Sequence, residues 1–413
     1  MSREELGLPQ PRIFSLQKIV EIAYYNMNRV RAVWKKVWDV LGAYFTHVGC
    51  HSNPDISKYA IDSLRQLSIK FLEKQELPNY AFQKDFLKPF EAIMQSSRSV
   101  EIRELVLCCL QQFVQARVAN IRSGWKSILQ CIAMAAADSS SAIVHLAFSV
   151  LEVLLGQQFD VLSGEGVFVE TVHCLTQFMS AEHSKGDELS LRAIELTEYC
   201  ARQLASGAIH LDTTAANGAA AAGGGGGANG ADQSSADSNG GGSSSAVTAS
   251  TGAVKFTSHP DHLKRWFPVL TGLSRTVSDH RNPVRKRALE VLFRVLRQHG
   301  ASFEGGHAGS LWDIVYSGVL APIFDDVRHA NDCNMPKQVN EWLQKTCETA
   351  LTQLVDLVSE FYSLLHFLLS DLFSLLTSCI KQVSSNGLFC VLRPVSSAAS
   401  PAAAAAVAAA AAV

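Results

Sequence analysis

DHRNPVRKRALEVLFRVL, residues 279–296, decides the fold. Within it Val284, Ala288, Val291, Leu292, Val295 and Leu296 fall three and four apart, the spacing of one face of an α-helix. Asn282-Pro283 stands just ahead of that face. Proline in the first turn of a helix sacrifices nothing, because the N–H it lacks would have no intrahelical partner there. The same opening recurs at Asn53-Pro54, followed by Ile56, Tyr59, Ala60, Leu64, Leu67 and Phe71 at helical spacing.

Outward from this word the pattern repeats. NPDISKYAIDSL (53–64), SVEIRELVLCCL (99–110), SSAIVHLAFSVL (140–151) and ELSLRAIELTEY (188–199) share its apolar spacing, and few stretches alternate with a strand's period of two. With Ile56, Ile102, Ile143, Leu191 and Val284 taken as equivalent, and a low-complexity stretch left out, the words lie roughly 40–50 residues apart. HEAT and armadillo units, made of paired helices, repeat at about 40–47 residues. Such a unit cannot cover its own apolar face, so neighbours stack and share a continuous core. The expected fold is all-α, a HEAT/armadillo-like α-solenoid interrupted by a disordered Gly/Ala/Ser-rich insert.

The insert is plain in composition. Thr213–Val254 has no aromatic residue and no lysine or arginine, and Ser396–Val413 is two-thirds alanine, the rest serine, proline and valine. Neither carries enough large apolar surface to offset the entropy of ordering it. A solenoid tolerates such a loop, because closure cost grows only logarithmically with length. The expected organisation is a first helical part at 11–211, an insert at 212–254, a second helical part at 255–395 and a tail at 396–413. Outside the insert and tail about a fifth of the residues are charged, an ordinary globular composition.

The whole chain has 413 residues, 36 Lys+Arg against 38 Asp+Glu, and a net charge of −2. That balance argues against gripping a nucleic-acid backbone. The ten cysteines include no CxxC pair, and most sit in apolar helical patterns, which reads as buried reduced thiols. Phe361–Ile380 is the most apolar run, but Asp371 and His366 interrupt it, so a buried solenoid helix is expected there rather than a span.

Catalytic and metal motifs fail on their chemistry. Gly223–Gly227 lacks the Gly-Lys-Ser/Thr that a phosphate cradle needs. His259 and His262 flank Pro260 with no third ligand near, so no metal or cofactor is expected. Two interaction candidates remain. Arg281, Arg285, Lys286, Arg287, Arg294 and Arg297 form a basic run in which Arg281, Arg285 and Lys286 are expected to share a helix side that Arg294 and Arg297 continue. It reads either as a contact for anionic lipid or an acidic partner, or as a solvated face with an arginine ladder. ANIRSGWK (119–126) places Asn120, Arg122 and Trp125 at a break between helices. Trp125 there is either a partner anchor or a side chain packed back on the core. FQKDFLKPF (82–90) reads as a linker that Pro89 stops.

Longer words carry a resemblance. PRIFSLQKIVEIAYYNMNRVRAVWKKVWDVLGAYFTHVGC (Pro11–Cys50), IDSLRQLSIKFLEKQELPNYAFQKDFLKPFEAIM (Ile61–Met94) and ANIRSGWKSI (Ala119–Ile128) resemble the large Arf guanine-nucleotide exchange factors of the brefeldin A-inhibited type. The likeness is nearly uninterrupted from Pro11 to Phe159. It resumes more weakly at Arg265-Trp266-Phe267-Pro268 and fades after about Lys381. It is to the helical regions that follow the catalytic domain in that family. The family's exchange domain works through a glutamate in an FRLPGE-like loop. No such loop occurs here, so no catalytic residue carries over and the chain is not expected to be an enzyme. A truncated gene model, a split gene and an isolated regulatory fragment would each account for a match beginning so near Met1.

The resemblance implies a regulatory scaffold, cytoplasmic and peripheral on trans-Golgi and endosomal membranes. It implies a small GTPase of the Arf family as partner. Contact with an anionic Golgi membrane, a homodimer, or an intramolecular contact with an upstream catalytic region are its further implications. The alternative from the residues alone is a generic HEAT-repeat interaction scaffold unrelated to Arf exchange.

Overall fold

The computed structural model describes residues 14–29, 31–77, 80–164, 167–182, 186–207, 260–303, 311–325 and 346–385. The expected insert at 212–254 and tail at 396–413 lie outside the described residues. Every regular element among the described residues is helical.

The chain opens with α1 (Phe14–Asn26) and then runs as helical hairpins. These are α2 (Arg31–Gly49) with α3 (Pro54–Phe71), α4 (Phe82–Ser96) with α5 (Val100–Arg117), and α6 (Gly124–Ala135) with α7 (Ser141–Gln157). They continue as α8 (Phe168–Ser180) with α9 (Glu188–Ala205) and α10 (Pro260–Thr276) with α11 (Asn282–His299). A helical run at 311–323, π-wound at Tyr316–Leu320, precedes α12 (Glu348–Glu360) and α13 (Leu369–Ser385).

Packing alternates strictly. One layer stacks α2 on α4, α4 on α6, α6 on α8 and α8 on α10; the other stacks α3 on α5, α5 on α7, α7 on α9, α9 on α11 and α11 on α12. This is an α-solenoid. Its core is continuous because each helix offers an apolar stripe to two neighbours and to its hairpin mate. Trp125, Trp266 and Trp312 are fully buried along it. Each fully buried large side chain contributes about 1.5–3 kcal/mol of transfer free energy.

Both Asn-Pro signals start helices. Asn53 caps α3, its side chain accepting the Asp55 N–H at 3.0 Å, and Pro283 sits in the first turn of α11 behind Arg281. A side-chain cap of this kind stabilises a helix by about 1 kcal/mol.

Three local expectations need correction. Residues 82–90 are not a linker: they are the first half of α4, and Pro89 lies inside that helix. Proline at 89 leaves the Asp85 carbonyl without its usual donor, and the Trp38 indole N–H fills the vacancy at 3.3 Å. Phe82, Phe86 and Phe90 then face the core, with Phe86 stacked between Trp38 (3.9 Å) and Phe71 (4.2 Å). Leu191 is only half-buried; the inward position is Ser190, so the repeat register slips by one in α9. Phe361–Ile380 is not one helix. It breaks at Phe361, passes through a 3-10 turn at His366–Leu368 and continues as α13, with Asp371 and Phe367 exposed. None of the described helices is long and apolar enough to cross a membrane.

The hairpins on either side of residues 208–259 touch directly, α8 against α10 and α9 against α11. Gly272 permits this closeness: a Cβ there would lie 2.8 Å from Thr176 Oγ1.

Candidate functional site

The corner at 119–126 is held by polar groups from two neighbouring elements. The last carbonyls of α3 have no intrahelical donors, and Asn120 Nδ2 supplies one, donating to Leu72 O at 2.9 Å and Glu73 O at 3.1 Å. Gln83, in the first turn of α4, donates from Nε2 to Asn120 O and accepts the Arg122 N–H, both at 2.8 Å. The Glu76 carboxylate takes the backbone N–H groups of Gln83 (2.7 Å) and Ser123 (3.0 Å) and the Ser123 hydroxyl (2.9 Å). Gly124 then lets α6 start against α4, where a Cβ would meet Leu87 at 3.1 Å and Gln83 at 3.2 Å.

Trp125 is fully buried, so it is a core side chain and not an exposed anchor. Asn120 caps a neighbouring helix. Of the three candidates only Arg122 presents an exposed side chain. Glu76 and Gln83, which organise the corner, were not legible from the sequence, because their partners lie roughly 40 residues downstream.

The basic run is also drawn into the stack. Arg281 has five N–H donors, and each has an acceptor. Nε donates to Asp279 Oδ1 (3.0 Å), Nη2 to Asp279 Oδ2 (2.8 Å) and Met179 O (2.9 Å), and Nη1 to Ala181 O (3.1 Å) and Ser190 Oγ (3.0 Å). The cation thereby sits on the C-terminal carbonyls of α8, the end of a helix that favours positive charge. Its bond to Asp279 raises the Arg281 pKa. Burial pushes the Asp279 carboxyl up, but the Arg281 side-chain and backbone hydrogen bonds outweigh it and leave that pKa below its ordinary value.

Arg285 is 2% exposed and donates to Thr346 Oγ1 (2.8 Å), Asp279 O (3.0 Å) and Asn282 Oδ1 (3.3 Å). Arg287 pairs with Glu195 on α9 (3.8 Å) and Glu290 (3.7 Å), Arg294 with Glu198 on α9 (2.9 Å), and Arg297 donates to Gln353 on α12 (3.4 Å). Lys286 is exposed and is the one member of the six with no hydrogen bond or ion pair among the described residues. The expected shared side therefore needs correction: Arg281 and Arg285 turn inward, towards carbonyls and hydroxyls of adjacent hairpins, while Lys286 turns out. The same stitching continues down this layer, with Arg192 of α9 on Glu152 of α7 and Lys58 of α3 on Glu101 of α5.

These joints define a helical-repeat scaffold whose polar clusters fix one repeat to the next. No group of three His, Cys, Asp or Glu side chains placed to hold a metal ion occurs among the described residues. The family described as Mon2/Sec7/BIG1-like, HDS matches residues 70–153, which include the whole 119–126 corner. The family described as GBF1-like, tetratrico peptide repeat region, matches residues 266–387, which include α11 but not the α8 and α9 residues that Arg281, Arg287 and Arg294 bind. The chain is 38% identical over 396 residues to brefeldin A-inhibited guanine nucleotide-exchange protein 3 of Arabidopsis thaliana. It is 39% identical over 400 residues to protein 2 of the same organism, and 35% over 389 residues to protein 1 of Homo sapiens. Each match takes in 92% of this chain, but only 21%, 21% and 18% of those relatives. The chain thus spans about a fifth of the length of the proteins it matches. A solved circular tandem repeat protein aligns with 91% of this chain and 86% of its own, at 12% identity and a TM-score of 0.26, too low to bear on the fold.

The resemblance read from Pro11–Cys50, Ile61–Met94 and Ala119–Ile128 is borne out. The chain is a relative of the brefeldin A-inhibited guanine nucleotide-exchange proteins and matches an HDS-bearing region of that group.

Proposed function

We propose that the chain is a non-catalytic regulatory and scaffold region of an Arf guanine-nucleotide exchange factor. In this reading it contributes to membrane recruitment, small-GTPase binding and autoregulation in Golgi vesicle traffic, as a peripheral protein. The observation that carries the reading is identity of 35–39% sustained over 92% of the chain. A two-layer solenoid supports it, since stacked repeats offer an extended surface for partners. The stitching of Arg281, Arg285, Arg287, Arg294 and Arg297 into adjacent helices leaves Lys286 as the part of that run open to an anionic surface.

Flotation with liposomes tests the reading. The chain is expected to float with Golgi-like anionic liposomes when GTP-loaded Arf is present and to stay behind with GDP-loaded Arf. Alone, it is expected to leave the rate of nucleotide release from Arf unchanged. Indifference to lipid and to the GTPase's nucleotide state would overturn the scaffold reading, and accelerated release would overturn the non-catalytic part.

A further inference from the structure

The first end of the stack carries a cleft that shares Glu76 and Gln83 with the 119–126 corner. It encloses about 300 Å3 between the end of α1, the start of α2 and the segment that follows α3. Pockets that hold small ligands start near that size, at about 300–1,000 Å3. Its wall is aromatic: Phe71 and Tyr80 are the half-buried rings that face it, and Trp34 and Phe82 lie almost fully buried behind them. The rings are already fixed: Phe71 lies 5.5 Å from Phe82 and 4.2 Å from Phe86, and Phe86 in turn stacks on Trp38, whose centroid is 6.1 Å from that of Trp34. A wall ordered in advance loses little entropy on binding. At the mouth Leu77 is 52% exposed, an apolar side chain that water solvates poorly.

Charge at the mouth is one-sided. Arg29, Lys70 and Lys74 stand around it. The Arg29 side chain is exposed and has no hydrogen bond or ion pair among the described residues. Lys74 donates to the neutral Asn28 side chain at 2.6 Å, which leaves its charge uncancelled, while Lys70 pairs with Glu73. The carboxylate that lines the cleft, Glu76, is turned to the 119–126 corner and covered by three donors there.

We propose that this cleft docks a short acidic peptide segment of another protein, with one large apolar side chain against Phe71, Tyr80 and Leu77 and flanking carboxylates on Arg29 and Lys74. The proposal stands on this cleft alone and does not depend on the exchange-factor reading. A concave aromatic wall ringed by cations suits a side chain inserted end-on, and the cations select against basic and neutral segments by desolvation and repulsion. A flat lipid surface would leave the wall unfilled.

Selection of a random phage-displayed peptide library on the intact chain tests it. The selected peptides are expected to share acidic residues around a single Phe, Leu, Ile or Trp. Synthesised and labelled, they are expected to lose about tenfold or more in affinity for Arg29→Glu/Lys74→Glu, and likewise for Leu77→Ser. Both variants alter exposed side chains, and unchanged circular dichroism will confirm that they fold. Peptides without the acidic–apolar pattern, equal binding to wild type and variants, or no selectable peptide would each overturn the proposal. So would loss of anionic-vesicle binding in the variants without any peptide binding, which would assign the cleft to lipid.

Discussion

Trp125→Ala is expected to lower the stability of the chain by about 3–5 kcal/mol, the cost of emptying an aromatic site in a packed core. Trp125 is fully buried where α6 meets α4, the closest-packed junction of its layer, and Gly124 beside it already sits in contact with Leu87 and Gln83. The start of α6, from which the indole projects, is held by the Glu76–Gln83–Ser123 hydrogen bonds, which limits how far the junction can relax to fill the cavity. Urea denaturation followed by circular dichroism measures the loss. Stability held at the wild-type value, with binding of a partner reduced, would instead return Trp125 to the role of anchor.

Arg281→Ala is expected to cost a similar amount, about 3–5 kcal/mol, because it leaves a buried carboxylate without its cation. Asp279 is 8% exposed in its side chain, and Met179 O, Ala181 O and Ser190 Oγ lose a donor at the same time. The pH dependence separates this from simple loss of packing. In the wild type the Asp279 pKa is depressed, so its contribution is present above the ordinary carboxylate pKa, about 3.9, and is lost as pH falls through the lower native value. In Arg281→Ala the cation and its side-chain bonds are gone, while the backbone N–H of residue 281 still donates to Asp279, so the depression of the Asp279 pKa shrinks and the variant is expected to gain less stability than the wild type as pH rises through the carboxylate range. Denaturation curves of the two proteins between pH 3 and 7 are expected to diverge; parallel curves would show that the pair is electrostatically idle.

How far the sequence announced this structure depended on how local each cause was. The helical face of 279–296 and the Asn-Pro starts were readable because neighbouring residues determine them. The inward turn of Arg281 was not, since its acceptors Met179 and Ala181 stand about a hundred residues earlier. Pro89 looked like a stop because its damage to the helix is local, whereas the repair comes from Trp38, 47 residues upstream of Asp85. Leu191 is the apolar residue of its word that matches Ile56 and Ile143, yet the inward position is Ser190, whose hydroxyl donates to Phe178 O and accepts from Arg281. The Ala119–Lys126 corner stood out through its glycine and tryptophan, while Glu76 and Gln83, which hold it, looked like ordinary polar residues of a connecting loop. The aromatic cleft was hidden for the same reason, being assembled from α2, α4 and the segment around the end of α3.

The direct seating of α8 on α10 and α9 on α11 makes the peptide bonds between Gly207 and Pro260 dispensable for holding the two halves together. Arg281, Arg287 and Arg294 bind across that seam to side chains and carbonyls that a scission would leave in place. A chain nicked there is expected to elute as one particle in size-exclusion chromatography, and two separate peaks would show that the seam does not hold by itself.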